Sequence, residues 1–243
     1  MIDKFEGIIL STTDYKEADS LITVLLKDIG LVSLVVRGAK KMSSKLAIST
    51  MPFCLSEFIF DYVEGKTIFN LRSSTLIKNY YDDMNLEKLS AYQLIADIAK
   101  RCYNVEEYDG YLYEEVINAY KHIYANDNLF IIIAYFMVSM SRILGINAMV
   151  DGCAICDDKK VVSISNRDGG FLCLKHAINL PKYEVITLKK FRFINKMNWD
   201  YVKELDAIGY ELSDLELVGD FFFEHSDIKL KSYKFFISLF NMD

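Results

Sequence analysis

Ser20-Leu21-Ile22-Thr23-Val24-Leu25-Leu26 runs through Lys27-Asp28-Ile29-Gly30 into Leu31-Val32-Ser33-Leu34-Val35-Val36-Arg37. Each flank is rich in β-branched residues and leucine, and the Asp28–Leu31 connection carries a glycine, so the stretch reads as a hairpin of two strands. The same grammar extends on both sides. Gly7–Ser11 precedes it, and Phe53–Tyr62 and Lys66–Leu76 follow, the last two joined by a turn at Val63–Lys66. Five strands within about 75 residues, with one longer connection between the third and fourth, fit a small barrel of the OB type. An SH3-like barrel or a split sandwich is the competing arrangement.

After Tyr81 the apolar period changes from two to between three and four. Leu86, Leu89, Tyr92, Ile95, Ala96 and Ala99 share one helical face, as do Leu112, Val116, Ala119, Tyr120 and Ile123. Leu129–Leu144 is apolar nearly all round, which predicts the centre of a helical domain. Its apolar core, Leu129–Met140, is too short to span a bilayer and soon meets Ser141 and Arg142. Glycines at 145, 152, 169 and 170 mark a loop-rich insertion up to Pro181. Helical spacing returns at Leu188, Phe191, Ile194 and Met197, and Ser213-x-x-Glu216 predicts a capping box. The expected class is α+β: an OB-type barrel over residues 1–80, then an all-helical domain over 81–243 with a zinc-finger insertion at 150–181.

With 52% hydrophobic and 26% charged residues, the chain is too apolar for disorder. The 34 acidic and 28 basic residues give a net charge of −6, so whole-molecule basicity is no argument for nucleic acid. The charge is uneven. Residues 1–80 hold 10 basic and 9 acidic side chains, and residues 81–243 hold 18 and 25. No basic stretch leads into an apolar run at the N-terminus, which points to the cytosol.

Of the five cysteines, Cys54 and Cys102 stand alone in apolar surroundings and read as buried thiols. The other three form Cys153-Ala154-Ile155-Cys156, sixteen intervening residues, and Cys173-Leu174-Lys175-His176. Two residues between ligands let a tight turn aim both side chains at one ion, and two such knuckles close a tetrahedron around zinc. Four protein ligands leave no open position, so the role is structural. Chance clustering and a disulfide are the other readings, and Asp157 competes with His176 for the fourth place. Val161–Ile164 and Asn166–Phe171 predict a hairpin between the knuckles.

Arg37, Lys40, Lys41, Ser43, Ser44 and Lys45 concentrate four cations and two hydroxyls, with no acid, in the long connection. Such a loop contacts successive phosphates, or it is simply a solvated surface loop; composition supports both. Phe53, Phe58, Phe60, Tyr62 and Phe69 are candidate stacking platforms, although their spacing assigns most of them to the barrel core. Lys189, Lys190, Arg192 and Lys196, and Lys229, Lys231 and Lys234, are either contact strips or wet helix edges. Gly65-Lys66-Thr67 lacks the glycine five positions earlier that a phosphate loop needs, and His122, His176 and His225 suggest no nucleophile and base pair. Nothing in the sequence points to an enzyme.

Taken together, the chain resembles the RecO family of bacterial recombination mediators. The resemblance rests on Gly7-Ile8-Ile9-Leu10 followed by Asp14-Tyr15-x-Glu17-x-Asp19, on Thr23–Gly30, and on Val36-Arg37-Gly38-Ala39-Lys40-Lys41. It continues in the paired knuckles with Gly169-Gly170 and in Lys231-Ser232 before the last aromatic run. It implies binding of single- and double-stranded DNA, annealing of complementary strands, and help in loading recombinase onto strands coated by single-strand-binding protein. RecR and the acidic, apolar tail of single-strand-binding protein are the implied partners, the nucleoid the implied place, and Lys189–Lys196 or Lys229–Lys234 the cations for the tail. Zinc-bearing members commonly carry four cysteines, and here the fourth position is His176. The alternative is a non-DNA interaction scaffold braced by the finger.

Overall fold

The computed structural model describes residues 4–40, 46, 48–80 and 85–241. The chain divides into two compact units, residues 1–124 and 125–243.

The first unit opens with five strands: β1 (Lys4–Tyr15), β2 (Asp19–Leu26), β3 (Gly30–Val36), β4 (Cys54–Phe60) and β5 (Ile68–Asn79). They form a closed barrel in the order β1-β2-β3-β5-β4, with β1 also paired to β4. The β3–β5 pairing is parallel and the others are antiparallel, so the expected OB-type barrel is the observed one. Alternation decides what faces inward. Ile22, Val24, Leu34, Val36, Phe58, Phe60, Phe69 and Leu71 fill the core, and each buried leucine or phenylalanine contributes about 1.5–3 kcal/mol. β5 starts at Ile68, two residues beyond the expected start, because the Lys66 N–H closes the turn on the Val63 carbonyl.

Two helices, α1 (Leu86–Cys102) and α2 (Tyr111–Tyr124), belong to the same unit. The side chain of Asn85 caps α1 by accepting the Lys88 N–H at 2.8 Å. Tyrosines fasten these helices to the strands. The Tyr108 hydroxyl donates to the Leu26 carbonyl at 2.7 Å, the Tyr113 hydroxyl donates to Glu6 Oε1 at 2.8 Å, and Phe53 stacks on Tyr92 at 5.4 Å between centroids. Gly30, at φ +94°, turns where the Tyr103 ring leaves no room for a Cβ.

The second unit is built around α3 (Leu129–Ile143), which is buried on all sides from Ile131 to Ser141. α4 (Val185–Lys196), α5 (Val202–Ala207), α6 (Leu212–Ser226) and α7 (Lys231–Phe240) complete its helices, and a hairpin of β6 (Val161–Ser165) and β7 (Gly170–Cys173) forms the finger. The α6 capping box sits two residues before the expected one. Glu211 and Asp214 exchange the side-chain and backbone bonds, so Ser213 and Glu216 do not, because Tyr210 is anchored in the core just upstream. Among the described residues no helix is long and apolar enough to cross a membrane.

Candidate metal centre and nucleic-acid surface

The finger brings its four expected ligands to one point. The Sγ atoms of Cys153, Cys156 and Cys173 and a ring nitrogen of His176 all lie within 4.8 Å of one another. Backbone geometry puts them there. The Cys153 carbonyl accepts from the Asp157 N–H at 2.9 Å, and the Cys173 carbonyl accepts from the N–H groups of His176 and Ala177 at 3.0 and 2.9 Å. Each pair of ligands therefore sits on a tight turn. Gly170 lets the second strand press against the Met149 backbone, where a Cβ would collide.

The donor set fits a four-coordinate ion. Bonds of about 2.3 Å to sulfur and about 2.0–2.1 Å to nitrogen give tetrahedral edges of about 3.8 Å between sulfurs and about 3.5 Å between sulfur and nitrogen. Cys156 Sγ lies 3.8 Å from Cys173 Sγ, and His176 Nδ1 lies 3.4 Å from both Cys153 Sγ and Cys173 Sγ. All three cysteines are free thiols, so the disulfide reading is set aside. Asp157 lies outside the cluster. Burial works against a charged Cys153, but the backbone N–H groups of Cys173, Ile155 and Cys156 and the His176 ring bring its thiol down to about 6. Cys102, by contrast, is pushed by burial up to about 12, as befits an inert core thiol.

In the barrel, Arg37 and Lys40 lie on the connection after β3. Lys41, Ser43, Ser44 and Lys45 fall outside the described residues. The Gly38 N–H donates to Asp19 Oδ1 at 2.8 Å and the Lys40 N–H donates to the Ala18 carbonyl at 3.2 Å, so the connection is tied to the β1–β2 turn. Lys40 Nζ is 2.9 Å from Asp14 Oδ1, and Arg37 donates to Asn70 Oδ1 at 3.3 Å. Both contacts are exposed, where they are worth little. Beside them runs the outer face of β1, β2 and β3. Thr13 pairs with Leu21, Leu21 with Val35 and Val35 with Asn70; Thr13 and Asn70 are exposed, Leu21 is half-buried, Val35 is buried, and Asp19 shares the face of Leu21. Of the aromatic candidates, Phe53, Phe58, Phe60 and Phe69 are buried, and Tyr62 is 37% exposed.

The C-terminal cations separate into different roles. Lys190 is buried and paired with Asp214 Oδ2 at 2.8 Å, while Arg192 and Lys196 both bond Asp151, at 2.9 and 2.6 Å. Lys189 and Arg192 join Lys159 and Lys160 around a cleft of about 360 Å³ whose apolar lining is Val161, Phe171, Val185 and Leu188. Lys234 lines another cleft, of about 420 Å³, which also carries Glu216 and Asp220.

Two family models cover this chain, recombination protein O N-terminal over residues 1–80 and recombination protein O C-terminal over residues 84–234. The chain belongs to the recombination protein O family. Its relatives include proteins named DNA repair protein RecO. The one from Bacillus pumilus (strain SAFR-032) is 25% identical over 97% of this chain and 93% of its own length. Those from Bacillus cereus (strain AH187) and Bacillus anthracis are each 28% identical over 73% of this chain and 71% of theirs. The C-terminal family model spans the whole metal centre, and the N-terminal model spans the barrel with its basic connection.

Sequence reading missed Lys159 and Lys160 as cleft residues, and Tyr15 and Lys16 as neighbours of the basic loop. The signal for the first pair was two adjacent lysines just after a knuckle. For the second pair no local signal existed, because the Lys40 to Ala18 bond joins segments about 20 residues apart.

Proposed function

We propose that this recombination protein O family member is a non-catalytic DNA repair mediator. It binds single- and double-stranded DNA, anneals complementary strands and helps load recombinase onto strands coated by single-strand-binding protein. The observation that carries the reading is the tie of Gly38 and Lys40, which open the basic connection, to the β1–β2 turn beside the outer face of β2 and β3. OB barrels bind oligonucleotides on such a face, flanked by loops that carry the phosphate contacts. Arg37, Lys40, Lys41, Ser43, Ser44 and Lys45 supply those contacts.

Zinc is the ion of the Cys3His centre, and it supplies folding energy and no reaction step. Cys153, Cys156, Cys173 and His176 hold it, and thereby hold the 150–181 finger within the 81–243 helical region that follows the 1–80 barrel. The protein works on the nucleoid in the cytoplasm with RecR as partner.

The single-strand-binding protein tail, acidic and apolar at its end, needs an apolar cleft rimmed by cations. The cleft of Lys159, Lys160, Lys189 and Arg192 meets that description, and the one beside Lys234 carries two carboxylates that repel the tail.

Titration of the full chain with labelled single- and double-stranded oligonucleotides at several salt concentrations tests the reading. Binding that weakens steeply with salt supports it. No binding at low salt transfers the protein to the class of interaction scaffolds.

A further inference from the structure

The β1–β2 turn presents an aromatic ring at the edge of the basic connection. Tyr15 closes β1 opposite Asp19 and is 38% exposed, and Lys16 follows at φ +57° with its ammonium 5.4 Å from the Tyr15 ring centroid. Tyr15 has the same outward parity as Thr13, so its ring stands at the end of that strand face, opposite Asp19, whose carboxylate is engaged by the Gly38 N–H. The turn does not slide, because its Ala18 carbonyl and Asp19 carboxylate accept the N–H groups of Lys40 and Gly38.

Charge alone gives this turn little hold on a polyanion. Asp14, Glu17 and Asp19 stand around Lys16, and Asp14 already faces Lys40. What the turn offers is the ring.

We propose that Tyr15 is a base-stacking platform for single-stranded nucleic acid, with Arg37 and Lys40 beside the turn holding the neighbouring phosphates. The inference rests on the DNA-binding reading and goes further, since it assigns the discrimination of unpaired bases to one side chain. Every base has a π-face, so such a platform tolerates any sequence. Paired bases are stacked on each other and cannot reach it.

The test uses the full chain and two labelled strands of equal length, oligothymidine and an abasic strand with the same phosphates. Tyr15→Ala lowers affinity for oligothymidine by about fivefold or more, without changing the slope of log K against log salt. Tyr15→Phe binds as the parent does, which also reports that the turn is folded. On the abasic strand, Tyr15→Ala and the parent bind alike. Tyr15→Leu matching the parent, or an equal loss for Tyr15→Ala on both strands, overturns the platform. A parent that binds neither strand overturns the DNA reading itself, which is a separate failure.

Discussion

Lys190 Nζ lies 2.8 Å from Asp214 Oδ2 inside the second unit, with the Gly209 carbonyl as a further acceptor of the ammonium. Both side chains are about nine-tenths buried. Asp214 Oδ2 also accepts the Glu211 N–H at 2.9 Å, so one carboxylate joins α4 to the start of α6.

Removing one partner leaves the other charge buried and unpaired. Lys190→Met should destabilise the fold by about 3–5 kcal/mol, read as a lower urea midpoint, and Lys190→Met with Asp214→Leu should recover much of the loss. A midpoint unchanged in the single variant would mean that the pair is solvated in solution.

Metal analysis of the purified chain should find one zinc per chain. His176→Cys should keep it, His176→Ala should release it to a weak chelator, and Cys153→Ser should lower the melting temperature while DNA binding at the barrel persists. Equal retention by His176→Ala and the parent would place the fourth ligand elsewhere.

These two sites differ in how far the sequence disclosed them. The metal ligands are local, two pairs each spaced by a tight turn, and spacing alone forecasts their convergence. The barrel was legible for the same reason, since β4 alternates in burial along its whole length and β2 and β3 do so until their last three residues, which are all buried. Lys190 was not legible. It reads as one more lysine on a basic helix, and the carboxylate that neutralises it lies 24 residues onward, beyond the intervening α5. The tyrosine clamps from Tyr108 and Tyr113 to β1 and β2 were hidden likewise, because a helix pattern shows which face is apolar but not which element that face will meet.

Fragments should follow the packing. Residues 1–124 should fold as one cooperative unit, whereas a fragment ending at residue 80 exposes Phe53 and loses the tyrosine clamps. Chemical denaturation followed by circular dichroism checks this, and a cooperative transition of the short fragment at the same midpoint would contradict it.

An acidic tail peptide ending in an apolar residue should bind residues 125–243 as well as the full chain. Lys160→Ala and Lys189→Ala should each weaken it severalfold, and Lys234→Ala should not. Stripping the metal should also weaken it, since Lys159, Lys160, Val161 and Phe171 lie between the two knuckles. Anisotropy titration of a labelled peptide reads all five.

The central claim is that the barrel's basic connection carries the phosphate contacts. Replacing Lys40, Lys41 and Lys45 together by alanine removes up to three of them, so the slope of log K against log salt should shrink by about 2–3 units in a folded triple variant. The account predicts that shrinkage together with weaker binding at low salt; an unchanged slope in the folded variant would contradict it.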